Sequence, residues 1–266
     1  MNKFFAIITI ALATSLTLFS HESTEKVDVD LHVNKSLESC SIIFDESLTQ
    51  SQFDRFTDEA SDITYFSSLS SAKTLGQYNF ELSLEISGNQ IDEKSGAWNN
   101  TFQHPDENHY LIGGDILYLP YLRAKMGVTD ELDFGIYYTE DPRANYGFLG
   151  IDLKYNLGCD NDYGLDMAVR ATYGTLLFVD DATINSYSVD FLVSKEFFGS
   201  LNPYVGISAN VKHGTETTEK VDLDYRLTLL PRYTVGLEYN FYFVNIATEA
   251  SYSNIFKSSL KLGFQF

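Results

Sequence analysis

Thirteen charged residues stand out because they recur at alternate positions within otherwise apolar stretches: Glu81, Glu85, Arg123, Lys125, Asp133, Asp152, Lys154, Asp166, Arg170, Asp190, Glu238, Glu249 and Lys261. Alternation at period two puts such residues on one face of a strand. Gathered around a common axis, they have two uses. They neutralise one another as a salt-bridged polar core, or their excess of acids lines a narrow passage that prefers cations. A second group, His104, Asp106, Glu107 and His109, lies in NQIDEKSGAWNNTFQHPDENHYLIGGD and consists of metal-capable types. Its spacing matches no metal motif, so no metal site is assigned, and weak association of divalent cations with acidic loops is the expectation. A third, Asp180 and Asp181 in VDDAT together with His213, supplies the types of an acid–base pair. Neighbouring acids in a loop do not by themselves converge on a substrate, so no catalytic residue is assigned and no cofactor is implied. The cysteines are Cys40 and Cys159. A disulfide between them and two free thiols both remain open.

The elements that must position these residues are strands. FELSLEI sets Phe80, Leu82, Leu84 and Ile86 against Glu81, Ser83 and Glu85; YLPYLRAKMGV sets Tyr118, Leu122 and Met126 against Tyr121, Arg123 and Lys125. The same alternation runs through LDFGIYY, through residues 149–157 and 165–173, and through segments near 185–198, 203–212, 226–240 and 243–253, before SSLKLGFQF closes the sequence. That makes about ten strands, with eight or twelve as alternatives because 109–117 and 226–240 divide in more than one way.

Residues 77–266 form this region. Ahead of it, residues 21–76 are polar and acidic without strand alternation. Within that leader Leu48, Phe53, Phe56, Ala60 and Ile63 fall at mostly helical spacing, and Ser47 or Thr49 is placed to cap the start. One short amphipathic helix is expected, with a disordered leader as the alternative. Residues 1–20, MNKFFAIITIALATSLTLFS, have a single early charge and then an apolar run, which reads as a cleaved secretory signal; a retained anchor helix is the alternative. The formal charge of −19 argues against nucleic acid as a partner.

An alternating sheet with one apolar face is either half of a sandwich or a barrel in lipid. Connection lengths separate the two. Expected connections alternate between tight turns, as at 129–131, 199–202 and 241–242, and longer ones, as at 89–114 and 213–225. A transmembrane barrel sorts its turns in this way, tight on the periplasmic side and long on the outside, whereas a sandwich has no cause to. Ten strands also allow the last strand to pair with the first, so that no edge is left open to lipid. The fold class is therefore all-β: a closed antiparallel transmembrane β-barrel with a periplasmic leader containing one helix.

On these features the chain resembles Gram-negative outer-membrane β-barrel proteins over residues 77–266. The most specific element of the resemblance is LKLGFQF, whose Leu260, Leu262, Phe264 and Phe266 are similar to the terminal signal read by the barrel-assembly machinery. The resemblance implies the outer membrane as location, and outer-membrane lipid and that machinery as partners. Ten strands are also similar in number to the omptin proteases, whose site combines acid pairs with an Asp-His pair, which is why Asp180, Asp181 and His213 enter the reading. Barrels do not transfer function among themselves. The leading expectation is a non-enzymatic structural or surface-contact protein with acidic outer loops; a narrow, porin-like, cation-preferring channel or small-solute transporter is the alternative, and an outer-membrane hydrolase comes third.

Overall fold

The computed structural model describes residues 41–92, 94–103, 111–112, 116–140, 144–158 and 164–266. The signal segment, both cysteines and the His104, Asp106, Glu107 and His109 group lie outside the described residues.

The alternating segments form strands β2(Phe80–Gln90), β5(Ile116–Gly127), β6(Leu132–Glu140), β7(Gly147–Asn156), β8(Leu165–Leu177), β9(Ala182–Lys195), β10(Leu201–Glu216), β11(Arg226–Phe241), β12(Val244–Tyr252) and β13(Phe256–Gln265). Each pairs antiparallel with the next, and β13 returns to β2, whose other edge pairs with β5. Phe264 sits opposite Leu82 and Lys261 opposite Glu85 in the closing pair. The result is the expected closed barrel of ten strands, in which every backbone ladder finds a partner.

Burial alternates along the strands, as in β13, where Phe256, Ser258, Leu260, Leu262 and Phe264 face outward and Lys257, Ser259, Lys261 and Gly263 face inward. Leu84, Val189, Leu229, Val235 and Leu260 are among many large apolar side chains left exposed on the outer surface. So continuous an apolar belt on a closed sheet is matched to lipid rather than to water. No helix among the described residues is long and apolar enough to cross a membrane. The strands are the crossing elements.

One rim carries the connections 128–131, 157–164, 196–200 and 242–243, and the opposite rim carries 91–115, 141–146, 178–181, 217–225 and 253–255. The longest contains the short helix α2(Gly96–Asn99) and two short strands, β3(Phe102–Gln103) and β4(Leu111–Ile112); β3 pairs with β1(Ser41–Ile42) and β4 with β5.

The leader forms α1(Gln50–Thr64), starting at Thr49, whose backbone N–H donates to the Gln52 side chain at 2.9 Å. That is one half of a capping box, which satisfies an otherwise orphaned donor. Phe53, Phe56, Ala60 and Ile63 are buried on one stripe, as their spacing predicts. The position of the leader differs from the expectation. It does not lie beneath the barrel at the tight-turn rim. It fills the barrel, with α1 seated at the loop rim against β7 to β11 and residues 65–75 running down the lumen to the tight-turn rim. There Gly76, with φ of +81°, and Tyr78, with φ of +66°, turn the chain into β2.

Two physical causes account for this. About eight strands enclose a space that wall side chains alone can fill, and ten enclose more. The leader also carries acids at Asp54, Asp58 and Asp62, one turn apart on α1, whose basic partners among the described residues are Arg226, Lys212 and Arg232 of the wall.

Candidate functional site

The lumen has two zones. Toward the loop rim the inward positions of β5 and β7 to β9 are apolar: Leu117, Leu119, Phe148, Leu176 and Ile184 are buried and form a core with Ile42, Phe44, Phe53, Phe56, Trp98 and Tyr146. Its aromatic rings meet edge to face, Phe56 with Trp98 at 5.2 Å and Phe44 with Phe53 at 5.9 Å between centroids. Glu59 of α1 accepts hydrogen bonds from Trp98 Nε1 and from Arg55 Nε, and the bond that Arg55 makes to this carboxylate raises the Arg55 pKa.

Toward the tight-turn rim the inward positions are charged. Arg170 is fully buried and bridges Asp152 at 2.7 Å and Asp190 at 2.8 Å. Arg123 pairs with Glu85 at 2.7 Å, Lys261 with Glu81 at 2.6 Å and Lys154 with Asp133 at 3.4 Å. Lys125 donates to Ser70 Oγ at 3.0 Å, while Glu238 and Glu249 each accept from the leader backbone, from Ser71 N and Leu69 N, both at 2.9 Å. Asp166, part-exposed near the tight-turn rim, stands 4.0 Å from Lys73. The structure thus places twelve of the thirteen charged positions fully inside, and Asp166 at the end of the lumen.

Three further inward bases belong with this set: Lys212, Arg232 and Lys257. Each shares the inward parity of its strand, Lys257 with Lys261 and Arg232 with Glu238, which is the signal in the sequence that marks them. They raise the wall bases to the number of wall acids, so the acidic excess expected of a cation-preferring lining does not hold. Asp62 of α1 is shared by Lys212 at 2.7 Å and Arg232 at 2.5 Å, and also accepts from Asn254 N at 2.9 Å. One carboxylate therefore ties the leader to β10, to β11 and to the turn before β13.

Half of these sixteen groups, with three neutral side chains beside them, address the main chain of the leader, Lys212 by donating to the Asp58 carbonyl. Lys257 donates to the carbonyls of Ile63 and Tyr65, Tyr137 to Thr64, Arg170 to Phe66, and Arg123 to Ser67 and Ser68. Lys154 donates to Ser71 and Lys73, and Asn156 to Ala72. In the other direction Leu69, Ser71, Ala72 and Leu75 donate their N–H groups to Glu249, Glu238, Ser194 and Asp133. Aromatic side chains are read at two places. Tyr65 lies under the Arg232 guanidinium at 4.0 Å and donates to Asp190 at 2.9 Å, and Phe66 lies between Arg123 at 4.3 Å and Arg170 at 5.0 Å. Gly174 makes room for the passage, since a Cβ there would sit on the Thr64 carbonyl oxygen.

The acid–base candidates are not brought together. Asp181 accepts from Phe44 N at 2.7 Å and from Lys220 at 2.9 Å, the Asp180 carbonyl accepts from Thr217, and His213 lies on the outward parity of β10 beside Thr215 and Tyr225. Leu260, Leu262, Phe264 and Phe266 are exposed on the outer face at the closing strand. Ser41 and Gly158, the described neighbours of the two cysteines, belong to opposite rims.

No family model matches the chain, and no curated protein matches it. Among solved structures, an outer-membrane channel from Pseudomonas putida F1 is similar with a TM-score of 0.46 at 8% identity, over 73% of this chain and 98% of that one. The KdgM porin in complex with disordered oligogalacturonate gives a TM-score of 0.36 at 7% identity, over 71% and 99%. Ail, the attachment invasion locus protein of Yersinia pestis, in complex with the heparin analogue sucrose octasulfate, gives 0.29 at 11% identity, over 71% and 99%. Likenesses this loose, at identities this low, bear on no property of the lumen, the loops or a ligand of this chain.

Proposed function

We infer that this chain is an outer-membrane barrel of Gram-negative type whose own leader closes the lumen, and that its role is non-enzymatic: a structural or surface-contact protein presenting its loop rim to the outside. The observation that carries this reading is the run of residues 65–75 through the lumen, bonded to the wall on several sides. The apolar belt supports the lipid setting. The placing of the two longest connections, 91–115 and 217–225, at one rim, opposite the short turns 128–131, 196–200 and 242–243, supports an orientation with those short turns in the periplasm, although 157–164 on their rim is longer than 178–181 and 253–255 on the other. In that setting Leu260, Leu262, Phe264 and Phe266 serve the barrel-assembly machinery during insertion, outer-membrane lipid surrounds the belt, and weakly held divalent cations bridge the acidic loops to anionic headgroups.

A conducting, cation-preferring pore is disfavoured, because the passage holds a polypeptide and the wall charges are balanced. The test is single-channel recording of the detergent-refolded full chain in a planar bilayer, with a heat-shifted gel band as proof of folding. The folded barrel is expected to be silent. Reproducible cation-selective steps from it would overturn the reading.

A further inference from the structure

The wall of the lumen recognises a peptide mainly by its backbone. Between Ile63 and Lys73 the carbonyls point at six donors, Lys257, Tyr137, Arg170, Arg123, Lys154 and Asn156, and four N–H groups between Leu69 and Leu75 point at acceptors. Main-chain hydrogen bonds of this kind supply affinity without specifying sequence, while pockets for individual side chains supply selectivity. Here selectivity resides in two rings, Tyr65 and Phe66, each held against buried guanidinium groups. Below them the chain reads SSLSSA, and the serines are small enough that most of the wall contacts bypass their side chains.

A core that only needed filling would be matched by apolar side chains at native density, as the loop-rim zone is. The rest of the wall instead sets buried lysines and arginines on carbonyl oxygens, from Lys257 near the loop rim to Lys154 near the tight-turn rim. We propose that the lumen is a peptide-binding tube, that the leader is its resident ligand, and that an extended peptide with an aromatic pair followed by small residues takes the leader's place when the leader is released. This rests on the reading of a lumen closed by the leader and adds a ligand class to it.

The arrangement also says where release would begin. Gln77, Tyr78 and Asn79 are exposed at the tight-turn rim, where the Gln77 N–H makes the last bond of the segment, to Asp130, and the Tyr78 N–H begins the pairing of β2 with Gly127 of β5. A protease site inserted between Gln77 and Tyr78 of the full chain cuts the leader from the barrel after folding, leaving it held by the lumen contacts alone. The experiment is to cut the folded protein in detergent, add a fluorescent synthetic peptide of residues 41–77, and follow its uptake by anisotropy, with the heat-shifted band checked throughout.

Uptake of the labelled peptide, with release of the resident fragment, is the expected result. An unlabelled competitor with Ser67, Ser68 and Ser71 changed to Ala, Ser70 being kept because its Oγ meets the buried Lys125 and Lys154, should compete within about tenfold of the parent, because the wall meets these three residues through their main chain. A competitor carrying Tyr65→Ala and Phe66→Ala should be weaker by roughly a hundredfold, the scale of two desolvated cation–π contacts. Ser71→Pro, which removes the N–H held by Glu238, should weaken it while the serine-to-alanine peptide does not. The proposal is overturned if the cut leader neither leaves nor exchanges, if an emptied and folded barrel takes up no peptide, or if the serine changes cost as much as the aromatic ones. Recordings on the uncut chain separate the two claims: conductance there removes the closed-lumen reading itself, whereas a silent uncut barrel that takes no peptide once emptied removes only the peptide-binding proposal.

Discussion

Asp62 shows how a single side chain commits the leader to the lumen. It is buried on α1 and faces Lys212, Arg232 and the Asn254 N–H together. Taking one partner from a buried charge cluster leaves the others uncompensated, which costs on the order of 3–5 kcal/mol. Asp62→Asn is therefore expected to lower the stability of the folded barrel by about that amount, read as an earlier loss of the heat-shifted band on heating in detergent. Glu46→Gln, at an exposed position in the same leader, should change the midpoint by no more than the small shift typical of surface sites. Equal and negligible effects would mean that Asp62 faces water and α1 is not in the barrel. Arg170 works by the same logic between Asp152 and Asp190, but it ties strands of the wall to one another as well as meeting the Phe66 carbonyl, so its loss does not by itself report on where the leader sits.

At the scale of elements, the strands are legible because lipid on one side and polar groups on the other force an uninterrupted period of two, from Phe80 to Gln265. Helix α1 is legible for a similar reason: Phe53, Phe56, Ala60 and Ile63 mark one stripe, and Thr49 with Gln52 marks the start. What parity cannot disclose is what faces the inward residues. The run from Ser67 to Ala72 has no period, few apolar side chains and a composition that suits a solvated linker, so nothing in it announces burial; its placement follows from backbone atoms, which every sequence possesses. Two signals do exist in retrospect. The acids Asp54, Asp58 and Asp62 recur at every fourth residue with no bases on their own helix to meet them all, and the inward parity of β5 and β7 to β9 changes from charged to apolar toward the loop rim, as from Arg123 to Leu119 and Leu117 and from Arg170 to Leu176. An apolar stretch on the inward face of a barrel implies something apolar inside it. The packing of α1 and the chain below it against β8 can be tested at Gly174, where Gly174→Val pushes a side chain onto the Thr64 carbonyl oxygen. The expected outcome is a barrel that still folds but whose leader is cleaved faster by an added protease; unchanged protection would show that the leader does not touch β8.

The whole molecule is a sheet closed on itself, with an outer surface matched to lipid and an interior completed by a segment that runs from the loop rim to the tight-turn rim. Ten strands are wide enough to hold one extended chain and too narrow to leave an open pore beside it. Function, on this view, rests on whether that chain stays or can be exchanged, and both alternatives presuppose that it is there. The most direct test is a proximity measurement. Ala72 N lies 3.1 Å from Ser194 Oγ, across the boundary between leader and wall. In a background with Cys40→Ser and Cys159→Ser, the double variant Ala72→Cys and Ser194→Cys should join on mild oxidation or with a short thiol-to-thiol cross-linker, giving a faster-migrating denatured band that reverts when an oxidised disulfide is reduced, while each single variant gives none. A folded barrel in which both thiols stay free and label independently would contradict the account.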